Sequence, residues 1–333
     1  MKRFKIMKLK IGSLELENPV IMAPLSGYCD SPYRRLVRSF GCALTYSGLI
    51  SSHALVCGNS KTLELLRHDP REKPIALQIF GNDPMLMAEG ASILESAGAD
   101  IIDINLGCGA PKVFKTGSGM ALCEDLELLE KILKAVISAV SIPVMIKTRI
   151  GFNPTKITIL EVAGIAERIG ISAIAIHSRY HCQKFSGKAE HSWAKKIKKI
   201  TCLPVIGSGD INIPGDVIDA ISRYGYDGIM IGRGALGNPW LFSRSISLLG
   251  TGILPQPPTV EEKIDVALKH LNLIEEHYSS SEALHQAKLH IRHYLHGMNQ
   301  ASKLRDILHR AVTTSRIRNL LNNIKANCRA IVK

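Results

Sequence analysis

Lys147 is the residue hardest to explain as structure alone. It closes the apolar run Pro143-Val-Met-Ile-Lys147, so it stands where a strand leaves its sheet. A lysine buried there is costly without an anionic partner. Three partners would serve: a strand-end carboxylate such as Asp103, a carbonyl that the amine attacks as a Schiff base, or an anionic cofactor such as reduced flavin. Gln78, also near the end of an apolar run, both donates and accepts, which suits the edge of a flavin pyrimidine ring. Cys108 follows Asn105-Leu-Gly. A thiol of ordinary pKa, ~8.5, is mostly protonated at neutral pH and can serve as a general acid. Two turns of small residues, Gly207-Ser-Gly-Asp210 and Gly232-Arg-Gly234, let backbone N–H groups converge on a phosphate. Ser208, Gly209, Gly232 and Arg233 would form that cup. His177 and Arg179 would sit above the cofactor, His177 toward a flavin or its phosphate and Arg179 toward a substrate carbonyl or phosphate.

These residues share a placement that implies a fold. Each lies at or just beyond the end of one of eight short apolar runs: 19–23, 43–47, 75–79, 100–104, 143–147, 173–177, 204–206 and 228–231. Amphipathic stretches such as 85–97, 126–140, 157–169 and 214–224 separate most of them. Nearly all-apolar strands alternating with helices predict parallel strands buried on both faces. Eight such units predict a (β/α)8 TIM barrel, an α/β fold with its active site at the C-terminal strand ends; an open doubly wound sheet is the structural runner-up. Gly232-Arg-Gly-Ala-Leu-Gly237 also fits G-x-G-x-x-G, but no later strand completes a βαβ unit, so a dinucleotide fold is rejected.

Beyond residue 250 the pattern changes. Residues 251–258, with Ile253-Leu-Pro-Gln-Pro-Pro258, read as a linker. Thr259-Val-Glu-Glu262 resembles a capping box, and helical periodicity runs from there to residue 333, enough for three or four helices. The division expected is 1–250, 251–258 and 259–333. Of the formal net charge of +13, residues 285–333 carry +9, from ten Lys/Arg and one acid, Asp306. Single-sign charge gathered at one end points to a polyanion partner, nucleic acid first. Hydrophobic residues at 46% exclude a disordered chain. No signal peptide or membrane-length apolar run is found. The eight cysteines form no C-x-x-C pair, so no metal is expected and the thiols are expected reduced in the cytoplasm.

The set as a whole resembles the tRNA-dihydrouridine synthases, most closely their bacterial B-type branch. The likeness runs along nearly the whole chain. It is carried by Ala23-Pro-Leu-Ser-Gly27 with Asp30, Gln78-Ile-Phe-Gly81, Asp103-Ile-Asn-Leu-Gly-Cys108 with Lys112-Val113, and Lys147-Thr-Arg149. It continues in His177-Ser-Arg179, Gly209-Asp-Ile211 and Ile231-Gly-Arg-Gly-Ala-Leu-Gly-Asn-Pro-Trp240. The resemblance implies an FMN-binding barrel with a helical tRNA-binding domain. It implies that NADPH reduces the flavin, which passes hydride to C6 of a uridine while the loop cysteine, Cys108, protonates C5. Carried over by position, the flavin contacts fall on Pro24, Leu25, Ser26, Gln78, Lys147, Ser208, Gly209, Asp210, Gly232 and Arg233, with His177 beside them. Substrate contacts are expected from Asn105 and Arg179, and from Arg292, Arg305, Arg316 and Arg318 in the tail. The protein is expected to be a monomer.

The chain departs from the family pattern in three places. Gly109 stands where proline usually follows the cysteine, Ser208 stands for asparagine in the phosphate turn, and Arg179-Tyr-His181 stands for Arg-Thr-Arg. Two other functions compete. One is a flavin barrel acting on a free pyrimidine or small enone, in the manner of dihydroorotate dehydrogenases, which would have no use for the basic tail. The other is a non-catalytic RNA-binding protein, which would have no use for Cys108 and Lys147. A phosphate-binding aldolase barrel would use Lys147 but leave Gln78 and Cys108 unexplained.

Overall fold

The computed structural model describes residues 7–331, with side chains as far as residue 328. Most of the basic opening segment, the Arg329 side chain and Lys333 lie outside the described residues.

Eight parallel strands form one sheet. They are β1 (Val20–Met22), β2 (Thr45–Ser51), β3 (Ile75–Phe80), β4 (Ile101–Leu106), β5 (Val144–Arg149), β6 (Ala173–His177), β7 (Val205–Ser208) and β8 (Gly228–Ile231). The order is β1-β8-β7-β6-β5-β4-β3-β2. The last seam is closed by Met22 N donating to Leu44 O and Ala43 N to Val20 O, both 3.0 Å. The sheet is therefore a barrel, and the open-sheet alternative falls. Boundaries move where local chemistry demands it. β7 starts at Val205 because Pro204 has no N–H for the ladder. β2 runs on to Ser51 through a register shift between Tyr46 and Leu49, where Gly48 lies.

Helices α1 (Ser31–Arg38), α2 (Pro84–Ser96), α3 (Leu126–Ala139), α4 (Ile159–Ile169), α5 (Pro214–Ser222) and α6 (Trp240–Thr251) follow strands β1, β3, β4, β5, β7 and β8. Proline opens α2 and α5, where its missing N–H costs nothing, and Asp83 caps α2 by accepting from Leu86 N. The sequence reading missed a hairpin, Leu9–Ile11 paired with Leu14–Leu16, although its alternation around Gly12-Ser13 was there to be read. Leu9, Ile11 and Leu16 share a core with Ile21, Tyr46, Met145 and Met230 inside the barrel. The hairpin thus plugs the N-terminal end with apolar side chains and leaves the polar residues at the other.

Four further helices complete the chain: α7 (Val260–His277), α8 (Ser280–Tyr294), α9 (Ala301–Arg310) and α10 (Thr314–Ile331). The capping box is formed: Glu262 N donates to Thr259 Oγ1 at 3.2 Å and Thr259 N to Glu262 Oε2 at 2.6 Å. These helices share a second core, with Ile264, Leu271, Ile291 and Leu321, to which Leu36 of α1 belongs and against which Phe40 and Trp240 pack. The barrel surface is thus part of the helical core.

A polar cluster is sealed in this junction. Asp30 caps α1 by accepting from Tyr33 N at 3.0 Å and lies 3.3 Å from His290 Nε2. The rings of His270 and His290 are 4.5 Å apart, both beside Tyr33, and His270 Nδ1 is 3.1 Å from the Tyr294 hydroxyl. Burial first, then the charge of His290, hold His270 well below the ordinary imidazole range. An unfolded chain protonates this histidine near ~6.5. Below that pH the unfolded state therefore binds the proton that the folded state refuses. Stability is full above about pH 6.5 and is lost as the pH falls. Each pH unit below it should cost about 1.4 kcal/mol, near 2 °C in a chain of this size. Melting temperatures from pH 7.5 to 5 should fall more steeply for the wild type than for His270→Gln; equal slopes would remove His270 as the cause.

Candidate active site

Side chains alternate across a strand, so one apolar interior position predicts the next one up. Ile101 leads upward to Asp103 and Asn105, Met145 to Lys147 and Arg149, Ala76 to Gln78, and Ala175 to His177. Register then places these polar residues side by side: Gln78 opposite Asp103, Asn105 opposite Lys147, Lys147 opposite Ala175, and His177 opposite both Arg149 and Ser208. The barrel mouth follows from strand pattern and register alone.

The floor of the mouth is a hydrogen-bonded chain. Gln78 Nε2 donates to Asp103 Oδ2 at 2.6 Å, and Asn105 Nδ2 donates to Gln78 Oε1 at 2.8 Å. Asn105 Oδ1 accepts from Cys108 N at 2.8 Å and Gly107 N at 3.2 Å. Gln78 keeps one amide hydrogen and one lone pair for a ligand. The sequence reading gave Asp103 no role beyond a possible partner for Lys147 and a place in the motif Asp103-Ile-Asn-Leu-Gly-Cys108. Its Oδ1 has no hydrogen-bond partner, and burial pushes its carboxyl upward, toward the neutral form. Lys147 makes no ion pair among the described residues. Burial pushes its ammonium downward, against the pull of Asp103.

Above the floor lies a ring of cations. His177 is held far below the usual imidazole range by burial and by the charges of Lys147, Arg149, Arg179 and Arg233. Beside it runs the turn after β7. Gly209 has φ +120°, and a Cβ there would lie 3.0 Å from Ala189 Cβ and 3.3 Å from His177 Cδ2. Asp210 follows at φ +52°, a left-handed conformation tolerated better by aspartate than by most residues. His191 Nε2 lies 3.0 Å from Gly209 O and braces the turn. Gly232, after β8, comes no closer than 3.6 Å to any side chain through a built Cβ, beside Ala23 and Leu25. Pro24 and Leu25 are half-buried and Ser26 exposed on the loop after β1. Phe185, 62% exposed, lies over Arg233 at 4.9 Å and Arg149 at 5.8 Å.

Two expectations change. Arg179 is committed within the protein: it is 2% exposed, paired with Asp210 at 2.5 Å and donating to Ser186 O at 3.1 Å and Gly187 O at 2.7 Å. It fastens the loop of residues 185–190 to the turn after β7. Arg318 is paired with Glu275, whereas Arg292, Arg305 and Arg316 are exposed and make no ion pair among the described residues. Arg149 was missed as a site residue. It donates to Gly107 O at 3.0 Å, Tyr180 O at 3.2 Å and Lys184 O at 3.0 Å, so it staples the Cys108 loop to the loop after β6. The triplet Lys147-Thr-Arg149 carried the signal, since Arg149 shares the inward face of Lys147.

A parallel eight-stranded barrel with its polar residues crowded at the C-terminal strand ends is the architecture of a (β/α)8-barrel enzyme. The chain belongs to the dihydrouridine synthase family, whose model, described as Dihydrouridine synthase (Dus), matches residues 21–330. It is 37% identical over 300 residues to the probable tRNA-dihydrouridine synthase of Rickettsia bellii, covering 89% of this chain and 91% of that protein. It is 37% identical over 290 residues to tRNA-dihydrouridine synthase B of Pasteurella multocida, covering 87% of each. Among solved structures, the old yellow enzyme homologue of Zymomonas mobilis superposes with a TM-score of 0.54 at 13% identity, over 78% of this chain and 96% of that one, a likeness of fold.

Proposed function

We propose that this chain reduces uridines of tRNA to 5,6-dihydrouridine, with FMN held in the barrel mouth and NADPH as the reductant. The observation that supports it most is the excess of positive charge at the mouth. Lys147, Arg149, Arg179 and Arg233 all bear on His177, and the nearby carboxylates are committed, Asp210 to Arg179 and Asp103 to Gln78. Such a mouth needs an anion with a phosphate at one end and a hydrogen-bonding ring at the other, and FMN has that form. Arg233, His177, Ser208 and the backbone of Gly209 and Asp210 would hold the phosphate. Lys147 and Gln78 would meet the pyrimidine edge, and Pro24, Leu25, Ser26 and Gly232 would line the ring. Bound FMN supplies a hydride for C6 of the base.

The chain's own residues do the rest. Cys108 holds the proton for C5 on a loop whose N–H is fixed by Asn105. Proton transfer leaves a thiolate, which water reprotonates. Asn105 links Gln78, which would meet the flavin, to the N–H of Cys108, and there it would orient the base.

Lys147→Ala separates this reading from rivals that hold no flavin, because its two effects have opposite signs. It removes a buried charge with no ion-pair partner, so the FMN-free variant should melt no lower than the FMN-free wild type. It also removes a charged hydrogen-bond donor to the pyrimidine edge, so FMN binding should weaken on the order of 30-fold. Flavin absorption of the purified protein and FMN titration of both forms measure this. A colourless wild type that takes up no FMN would overturn the reading.

A further inference from the structure

We infer that His181 is the positioning residue for Cys108, and that the absence of a side chain at Gly109 is the other half of the same device. The inference rests on Cys108 as proton donor. A Cβ built on Gly109 would lie 2.2 Å from His181 Cε1 and 2.3 Å from His181 Nδ1, distances no real carbon adopts. The imidazole therefore rests directly on the backbone of the residue that follows the thiol. It is pressed there from behind by Phe114, stacked at 5.1 Å and 24°, and by Phe152 at 6.1 Å and 57°. Phe114 ends the short helix Pro111–Phe114 that continues from the cysteine loop. One ring thus bears on the loop just after Cys108 and on the helix beyond it.

The contact is steric. No hydrogen bond of the His181 ring is formed among the described residues, and burial, with the charges of Arg149 and Lys184, keeps the ring below its ordinary pKa. A second fastening joins the same two loops: Arg149 donates to Gly107 O on one side and to Tyr180 O and Lys184 O on the other. Asn105 takes the N–H groups of Gly107 and Cys108. Cys108 is held before its Cα by Asn105 and Arg149, and after it by Met120 N, which donates to Cys108 O at 3.1 Å, and by His181, so the direction of its thiol is set from both sides. These are two of the three positions where the chain departs from the family pattern, and they touch. Any side chain at 109, proline or alanine, would have to displace the ring.

The test is a cycle of Gly109→Ala and His181→Ala in the FMN-loaded enzyme. Two quantities are read: dihydrouridine formed in a single turnover on tRNA, and the rate of Cys108 alkylation by iodoacetamide, mapped by peptide mass spectrometry. Misplacing a reacting group by ~1 Å can cost about 10²-fold, and Gly109→Ala should lose that order of rate and shift the alkylation rate, with FMN content unchanged. In the His181→Ala background the same alanine should change neither quantity, because the ring it collides with is gone. An alanine at 109 that costs as much without the ring as with it, or nothing in either background, would overturn the inference. If Gly109→Ala alone does not fold, His181→Ala against the wild type still decides: slower turnover and a shifted alkylation rate at unchanged FMN content support positioning, and wild-type values of both overturn it. Full dihydrouridine formation by Cys108→Ala would instead remove the proton-donor role, while the coupling seen in alkylation would stand.

Discussion

Cys108→Ala should slow uridine reduction by ~10²–10⁴-fold while FMN stays bound and NADPH still reduces it. The two halves of the reaction draw on different residues. Hydride delivery needs Lys147, Gln78 and the phosphate cup, which Cys108 does not build. Saturating the C5–C6 bond needs a proton as well as a hydride, and the thiol lies on the loop after β4, beside the charges of Lys147 and Arg149. Alanine keeps the backbone N–H that Asn105 accepts, so the loop should hold its shape. Stopped-flow flavin absorbance follows the reductive half, and mass spectrometry of digested tRNA follows the other. Wild-type dihydrouridine yield at the wild-type rate would contradict the assignment.

Replacing Arg292, Arg305 and Arg316 together by alanine should weaken tRNA binding on the order of 10²-fold at low salt. It should also reduce the slope of log K against log salt by about 2–3. These three arginines are exposed and unpaired among the described residues, on α8, α9 and α10. A uridine must leave its stack to reach the mouth, at a cost of a few kcal/mol, and phosphate contacts of this kind offset that cost. Arg318→Ala is the internal control: its partner is Glu275, so it should cost stability and leave the salt slope nearly unchanged. Filter binding over a salt series reads both. Removal of the tail beyond residue 258 is a poorer test, because it would uncover Leu36, Phe40 and Trp240. An unchanged salt slope in the triple variant would make the basic helices a solvated surface.

The strands could be read from the sequence because most of them are buried on both faces and mainly apolar up to their C-terminal ends, a pattern that local spacing reports directly. The mouth was partly legible for the same reason. Lys147 stood out because a charge closes an apolar run, and Ser208-Gly209-Asp210 because small residues follow one. What stayed hidden depends on contacts across the chain. Arg179 looks like any arginine after a strand until Asp210 and the carbonyls of Ser186 and Gly187 are seen around it. Arg318 looks like its basic neighbours until Glu275 appears beside it. Asp103 lies in an ordinary strand, and only the registered neighbour Gln78 gives its carboxylate a task. Nothing in the tail's spacing reveals that His270 and His290 meet Asp30, because the three come together only once α7 and α8 pack on α1.

The loops after β1 and β8 both rest on α8. Tyr28 hydroxyl lies 3.2 Å from His293 Nε2, and a Cβ on Gly237 would come within 2.4 Å of the His293 carbonyl carbon. α8 is thus seated directly on the rim of the mouth. On the proposed reading the molecule is a caliper with one jaw at the flavin and the other at the arginines of α8–α10. Which nucleotide it reduces is then metered by a span within the folded RNA, counted from where the far jaw grips, and the letters flanking that nucleotide need not be read at all.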